Sequence, residues 1–235
     1  MRILLVEPDH TTRLSMEMMM TNGGLNVYTS ELASEAADLA MLYDYDLIVM
    51  EHRLPDGDGL NKILRHIRLA RVNTPVMIVS SADDTESKIR SFGLGADDYL
   101  TKPFHREELL ARIQTIIRRA RGHSQSVVET GNVSVNLNDK TVQVNGNTVH
   151  LTSKEYQMLE LMSLRKGATL TKEMFLSHLY GGMDEPELRI IDVFVSKLRK
   201  KLKDAGAPEA ISTIWGRGYT MRDPEQDTAS EFSDA

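Results

Sequence analysis

Three apolar runs and a fourth mixed one, each ending in polar residues, constrain this chain more than any other feature. Met1 to Val6 runs into Glu7-Pro8-Asp9, and Tyr45-Asp46-Leu47-Ile48-Val49-Met50 stops at Glu51. Pro75-Val76-Met77-Ile78-Val79 stops at Ser80-Ser81, and Asp97-Asp98-Tyr99-Leu100-Thr101-Lys102-Pro103-Phe104 closes the series. Short apolar runs separated by helix-length segments read as buried parallel strands of a βα repeat. In such sheets polar chemistry gathers at the carboxyl ends of the strands. Glu7, Glu51, Ser80 and Lys102 all fall there.

The series occupies only the first half of 235 residues, a length that suggests two domains. No apolar stretch approaches the roughly 20 residues of a membrane span, and no signal peptide precedes the first strand. The expectation is a cytoplasmic chain without a membrane partner. With no cysteine, disulfides, thiolate zinc sites and cysteine catalysis are excluded. The net charge of −6 is unevenly spread: residues 1–118 hold 18 acidic and 13 basic side chains, and residues 122–222 hold 11 and 13. Residues 223–235 carry five acids and no base. A weakly basic second half between acidic segments permits DNA binding and makes local clustering the informative test.

Arg121-Gly122-His123-Ser124-Gln125-Ser126 is small, polar and poor in apolar anchors, as a linker should be. Beyond it Val133–Leu137 and Thr141–Val144 alternate at period two, and Asn145-Gly146 follows, a hairpin signal. His150-Leu151-Thr152 is expected to be a short strand. Thr152 then caps a helix, with Glu155 completing a capping box. A second helix is expected after Thr171. A third places Leu188, Ile191, Val195, Leu198 and Leu202 on one side and Arg189, Val193, Ser196, Lys197 and Lys200 on the other. Last, Ser212–Trp215 and Tyr219–Met221 flank Gly216-Arg217-Gly218, a hairpin with an arginine at its tip.

The first half resembles the receiver domain of two-component response regulators at Glu7, Ser80, Tyr99, Lys102 and Pro103. The second half, with Trp215-Gly216-Arg217-Gly218-Tyr219 after a basic helix, resembles the winged-helix output domain of the OmpR/PhoB family. The resemblance implies an α/β, CheY-like doubly wound (βα)5 receiver over residues 1–119 and a linker over 120–126. A winged helix-turn-helix DNA-binding domain over 127–223 and a disordered acidic tail over 224–235 complete the expected layout. Within the family, Leu151–Leu161, Leu179–Leu188 and Gly122–Val127 look like the CtrA-type cell-cycle regulators of alphaproteobacteria. That likeness implies paired AT-rich half-sites in DNA. By resemblance, residues 187–202 form the recognition helix in the major groove, with Arg189, Ser196 and Lys197 as candidates for base edges. Arg199, Lys200 and Lys201 are candidates for positioning on the backbone, and Arg217 for a minor groove or phosphate.

Two residues depart from the receiver pattern. Pro8 stands where the family has its second Mg²⁺-binding acid, and Glu51 where it has the phosphoacceptor aspartate. Mg²⁺ demands a near-octahedral set of oxygens. Phosphoryl transfer depends on positioning and on neutralising charge. Proline offers no carboxylate, and the extra methylene of Glu51 carries its carboxylate about 1.5 Å further into the pocket. No efficient phosphorylation, no metal and no cofactor are therefore expected. Asp9 could substitute as a ligand, although alternation turns it from the face of position 8. Arg53 is a candidate to fold back as a bidentate clamp on Glu7 or Glu51 in place of the cation; a solvated Arg53 is the alternative. Glu51 itself reads either as an imitation of a phosphorylated aspartate, acting on Ser80 and Tyr99, or as a remnant held by Lys102.

Family receivers pair through their fourth helix, fifth strand and fifth helix. The matching positions here, Lys88 with Glu108, Asp98 with Arg112 and Asp97 with Arg119, are of opposite charge, so a homodimer is expected. Linking two half-site contacts is how one modest helix gains affinity. Partners implied are double-stranded DNA, a second copy, and RNA polymerase or another regulatory protein. Other classes are a receiver acting chiefly through a protein partner, one still phosphorylated at a substitute site, and a metal-dependent hydrolase on Glu7, Asp9, Glu51 and His52. The last is disfavoured because the receiver layout already explains the carboxylates. In the run Met16, Met18, Met19, Met20, helical spacing gives Met16, Met19 and Met20 one shared, core-facing side.

Overall fold

The computed structural model describes residues 1–180, 186–208 and 210–223. It divides into two units, Met1–Ala120 and a second beginning at Arg121. The part of the Leu179–Leu188 stretch from 181 to 185 and the expected acidic tail, 224–235, lie outside the described residues.

In the first unit, strands β1 (Arg2–Val6), β2 (Asn26–Ser30), β3 (Leu47–Met50), β4 (Val76–Ser80) and β5 (Asp98–Thr101) form one parallel sheet in the order β2-β1-β3-β4-β5. Helices α1 (His10–Asn22), α2 (Ala33–Leu42), α4 (Thr85–Gly93) and α5 (Arg106–Ala120) connect or follow the strands, and a π-helical stretch, Leu60–Arg65, runs into α3 (His66–Leu69). Strands covered on both faces read as unbroken apolar runs, and alternation then sorts their side chains between two cores. Leu4, Val6, Ile48, Met50, Val76 and Ile78 pack towards α2 and the π-helical stretch. Ile3, Leu5, Leu47, Val49, Met77 and Val79 pack towards α1 and α5. Met16 and Met20 are buried in the second core with Met19 packed against it, while Met18 is exposed.

Two loop carboxylates hold helix starts that frame the strand ends. Asp9 caps α1, accepting the Thr12 N–H at 2.8 Å. The Leu32 side chain cannot cap α2, and Asp56 from the loop after β3 does so instead, accepting the N–H groups of Ala33 and Ser34 at 2.8 and 3.0 Å. Those donors hold the Asp56 carboxyl down at about 2.

The second unit opens with an antiparallel sheet of β6 (Val127–Thr130), β7 (Val133–Asn136), β8 (Thr141–Val144) and β9 (Asn147–Thr148), in the order β9-β8-β7-β6. Asn145 and Gly146 both have positive φ, 52° and 80°, as a two-residue hairpin turn requires. The pair therefore joins β8 to β9, and the short strand lies at Asn147–Thr148 rather than at His150–Thr152. A turn so tight returns the chain at once, so pairing ends before His150. Helix α6 (Ser153–Leu164) begins with the expected Thr152/Glu155 capping box. Helix α7 (Lys172–Tyr180) follows, with the Met174 N–H donated to Thr171 Oγ1 at 3.3 Å. Helix α8 (Arg189–Asp204) and the hairpin of β10 (Ile211–Ile214) and β11 (Gly218–Met221) complete the domain. Among the described residues no helix is long and apolar enough to cross a membrane.

Candidate functional site

Glu7 leaves β1, Glu51 leaves β3, Ser80 ends β4 and Lys102 leaves β5, so parallel pairing brings all four to one end of the sheet. Glu7 is 2% and Glu51 8% exposed. Lys102 Nζ lies 2.5 Å from Glu7 Oε2 and 3.1 Å from Glu51 Oε2. The second oxygen of Glu51 accepts the N–H groups of His52 at 2.8 Å and Arg53 at 3.3 Å. Burial works against ionisation of Glu51, but the Ser80 hydroxyl, the Lys102 cation and the Arg53 N–H more than offset it and hold the carboxyl below its usual range. Glu51 is thus an anion at neutral pH, tied to the fifth strand through Lys102. Tyr99, on β5, is buried and donates its hydroxyl hydrogen to the Ala82 carbonyl at 2.6 Å.

The expected guanidinium clamp does not form. Arg53 is exposed, and among the described residues its side chain makes no hydrogen bond or ion pair with Glu7 or Glu51. Arg53 and Leu54 pair with Gly57 and Asp58, and because Leu54 turns into the core, alternation turns Arg53 outward. The cation between the carboxylates is Lys102. Asp9 turns one carboxylate oxygen, Oδ1, to the Thr12 N–H as the cap of α1. His52 is buried with Nδ1 3.3 Å from Glu51 Oε1. Among the described residues no three His, Asp or Glu side chains gather as metal ligands.

On the α4, β5 and α5 face, Arg112 pairs within the chain with Asp98 at 2.9 Å and with Glu108 at 2.9 Å. Within the chain Asp97 pairs with Arg68 at 3.3 Å, and Arg119 is exposed at the end of α5. Lys88 Nζ lies 5.9 Å from the Tyr99 ring centre. Ile89 and Phe92, one turn apart on α4, are 66% and 49% exposed.

In the second unit α8 buries Ile191, Val195, Leu198 and Leu202 and exposes Arg189, Val193, Ser196, Lys197 and Lys200. Leu188 is not part of the buried stripe; it precedes the first turn and is 40% exposed. The helix itself is Arg189–Asp204 rather than 187–202. Arg199 and Lys201 differ from the expectation that they face a nucleic-acid backbone. Each neighbours a buried position, about 100° round the helix, so its head meets acceptors at the edge of the core. Arg199 donates to the Ile211 carbonyl at 3.1 Å and to Thr213 Oγ1 at 2.7 Å. Lys201 bonds Glu155 Oε2 at 2.7 Å and the His150 carbonyl at 3.0 Å. The first ties α8 to the hairpin and the second to the start of α6. Lys197, Lys200 and Arg189 remain on the open face, and Arg217 is exposed in the hairpin turn. Trp215 is 92% exposed beside it.

An exposed cationic helix face next to a basic hairpin tip suits a phosphate-lined duplex. Comparison with known proteins agrees. Residues 3–114 match the response regulator receiver domain, and residues 146–221 match the C-terminal domain of transcriptional regulatory proteins. The chain is 58% identical over 227 residues to the cell cycle transcriptional regulator CtrA of Caulobacter vibrioides, covering 96% of this chain and 98% of that protein. It is also 58% identical over 226 residues to the cell cycle response regulator CtrA of Brucella abortus, covering 96% and 97%. Among solved structures, the response regulator DrrB of Thermotoga maritima, an OmpR/PhoB homologue, is 29% identical and covers 94% of this chain and 98% of its own, with a TM-score of 0.45. A five-stranded receiver, a winged-helix DNA-binding domain and this identity over nearly the whole length place the chain in the OmpR/PhoB family of response regulators, among its CtrA-like members.

Proposed function

We propose that this protein is a sequence-specific transcription regulator of the cell cycle whose receiver works without phosphorylation, as a dimerisation module. The carrying observation is Lys102 Nζ standing between Glu7 and Glu51 at 2.5 and 3.1 Å. Mg²⁺ needs several oxygens at about 2.0–2.1 Å. Here Pro8 supplies none from its side chain, Asp9 caps α1, and an ammonium occupies the space between the remaining two carboxylates. This donor set does not fit Mg²⁺. The Lys102 contact that Glu51 shares with Glu7 supports a receiver locked in one arrangement. Output comes from the winged helix: Arg189, Ser196 and Lys197 read base edges in AT-rich half-sites, and Lys200 and Arg217 hold the backbone. The opposed charges of Lys88 and Glu108, Asp98 and Arg112, and Asp97 and Arg119, with exposed Ile89 and Phe92, support pairing of two receivers. The protein is not an enzyme, and its partners are DNA, its own copy and the transcription machinery.

Intact-mass spectrometry after incubation with acetyl phosphate and Mg²⁺ tests this reading. The expected spectrum holds only unmodified chain. A stoichiometric phosphoryl adduct would defeat it and revive a substitute acceptor.

A further inference from the structure

Helices α2 and α3 pack beside each other on one face of the receiver sheet. Each links two parallel strands, so both end at the amino-terminal edge of the sheet, away from Glu7 and Glu51. There Leu42 is 74% and Leu69 75% exposed, with Met41 and Tyr43 exposed next to Leu42. One leucine in solvent needs no explanation, but two at neighbouring helix ends with a methionine and a tyrosine mark an interaction site. The charges around them follow one spacing with opposite signs. Asp38 lies four residues before Leu42 and Asp44 two after it; Arg65 lies four before Leu69 and Arg71 two after it. All four are exposed, and none takes a partner within the chain among the described residues. Both loops are held in place: Arg68 donates to the Val72 and Thr74 carbonyls at 2.9 Å each, and Asp46 accepts the Arg2 N–H at 2.8 Å. Arg71 has a φ of 61° in the turn that closes α3, where Val72 N–H reaches the Ile67 carbonyl at 2.9 Å. Glycine is the unstrained choice at that position. An arginine kept there against the backbone's preference points to use of its side chain.

We propose that the ends of α2 and α3 form a second self-association surface, occupied by the same surface of another copy. A two-fold axis parallel to the two helices and running between them lays α2 of one copy on α3 of the other. Helix direction and register are then preserved, so Leu42 meets Leu69, Asp38 meets Arg65 and Asp44 meets Arg71, each contact occurring twice. A different partner would have to supply bases for the α2 side and acids for the α3 side around an apolar centre. This patch supplies both to itself, and the complementary charges fix the register while the leucines give the affinity. The face formed by α4, β5 and α5 lies towards the β5 edge of the sheet and stays open. The surface therefore goes beyond the receiver pairing proposed above and does not depend on it. With both surfaces in use, two receiver dimers join into a tetramer, which links copies bound at neighbouring DNA sites.

Sedimentation velocity of the full chain carrying Asp98→Arg, which disables the α4, β5 and α5 face, reads this surface alone. The expected result is a concentration-dependent equilibrium of monomer and dimer that persists in that background. Leu69→Lys places an ordinary helix-end residue at an exposed position and should melt like its parent. It should weaken association at least about tenfold, because each leucine is lost twice in a symmetric pair. Arg71→Asp and Asp44→Arg should each weaken association by setting like charges against each other, and the two together in one chain should restore it. Arg71→Gly should weaken association without lowering Tm, which separates use of the side chain from support of the turn. If the Asp98→Arg chain stays monomeric into the high-micromolar range, the inference falls. It falls equally if that chain associates but ignores Leu69→Lys and the charge exchange. If the parent associates no further than the Asp98→Arg chain, and both respond to Leu69→Lys, this surface stands and the α4, β5 and α5 pairing falls.

Discussion

Replacing Lys102 by methionine keeps the length of the side chain and removes its charge, leaving two buried carboxylates facing each other. Contacts of 2.5 and 3.1 Å to a single Nζ mean that Glu7 Oε2 and Glu51 Oε2 are no more than about 5.6 Å apart. At an effective dielectric of about 20 the bare repulsion at that separation is about 3 kcal/mol. Removing one partner of a buried ion pair costs about 3–5 kcal/mol, and the 16% exposure of Lys102 argues for the lower end. For a unit the size of Met1–Ala120 this corresponds to a fall in Tm of roughly 10 °C. The pH dependence has a definite sign. In the parent protein Glu51 has a folded pKa below its unfolded value, so its contribution is complete above the unfolded value of about 4.3 and is lost as pH falls through the folded one. In Lys102→Met, burial and Glu7 are left without the cation, and the folded pKa should rise above the unfolded value. Glu51 then contributes stability at acid pH and loses it as pH rises. The gap between the two proteins should be widest near pH 7 and narrow towards about pH 4.5, and Glu51→Gln added to Lys102→Met should recover much of the loss. Thermal unfolding of the full chain by circular dichroism at both pH values checks this. An unchanged Tm at neutral pH, or a gap that does not narrow on acidification, would refute the pocket electrostatics.

Lysines on α8 should separate into two kinds. Lys197→Ala should leave Tm unchanged and reduce the salt slope of DNA binding by about one, whereas Lys201→Met should cost roughly 2 kcal/mol of stability by stranding Glu155 and leave the slope alone; affinities at several salt concentrations and thermal melts tell them apart. Gly218→Ala should destabilise the hairpin by about 1–3 kcal/mol, because the added Cβ meets the Leu170 backbone and φ is 136°; a melt equal to the parent's would show that the close approach is not needed. Asp98→Arg should weaken self-association measured by sedimentation, since it opposes Arg112 both within the chain and across the expected interface; association equal to the parent's removes this face from the dimer.

Four of the five strands were legible because buried parallel strands write themselves as apolar runs, and the polar end followed from where those runs stop; β2, an edge strand only partly buried, leaves no such run. The capping box at Thr152 and Glu155 and the buried stripe of α8 were legible for the same reason: local bonding and periodicity fix them. What escaped depended on neighbours far away in sequence. The Lys102 contact with Glu51, across 51 positions, was one of two readings of Glu51, but nothing local to Arg53 says that Leu54 must turn inward and send it to solvent. Arg199 and Lys201 carry the right charge for DNA, yet their heads are taken up by Thr213 and Glu155. Residue type alone cannot separate a phosphate contact from an internal tie.

The central claim is that output does not depend on phosphorylation. Sedimentation equilibrium and duplex affinity, measured with and without acetyl phosphate and Mg²⁺ on the same preparation, test it most directly. The account predicts the same dimer fraction and the same Kd in both conditions. A gain in both that requires the phosphodonor and Mg²⁺ together would contradict it and return this receiver to the phosphorylated switches.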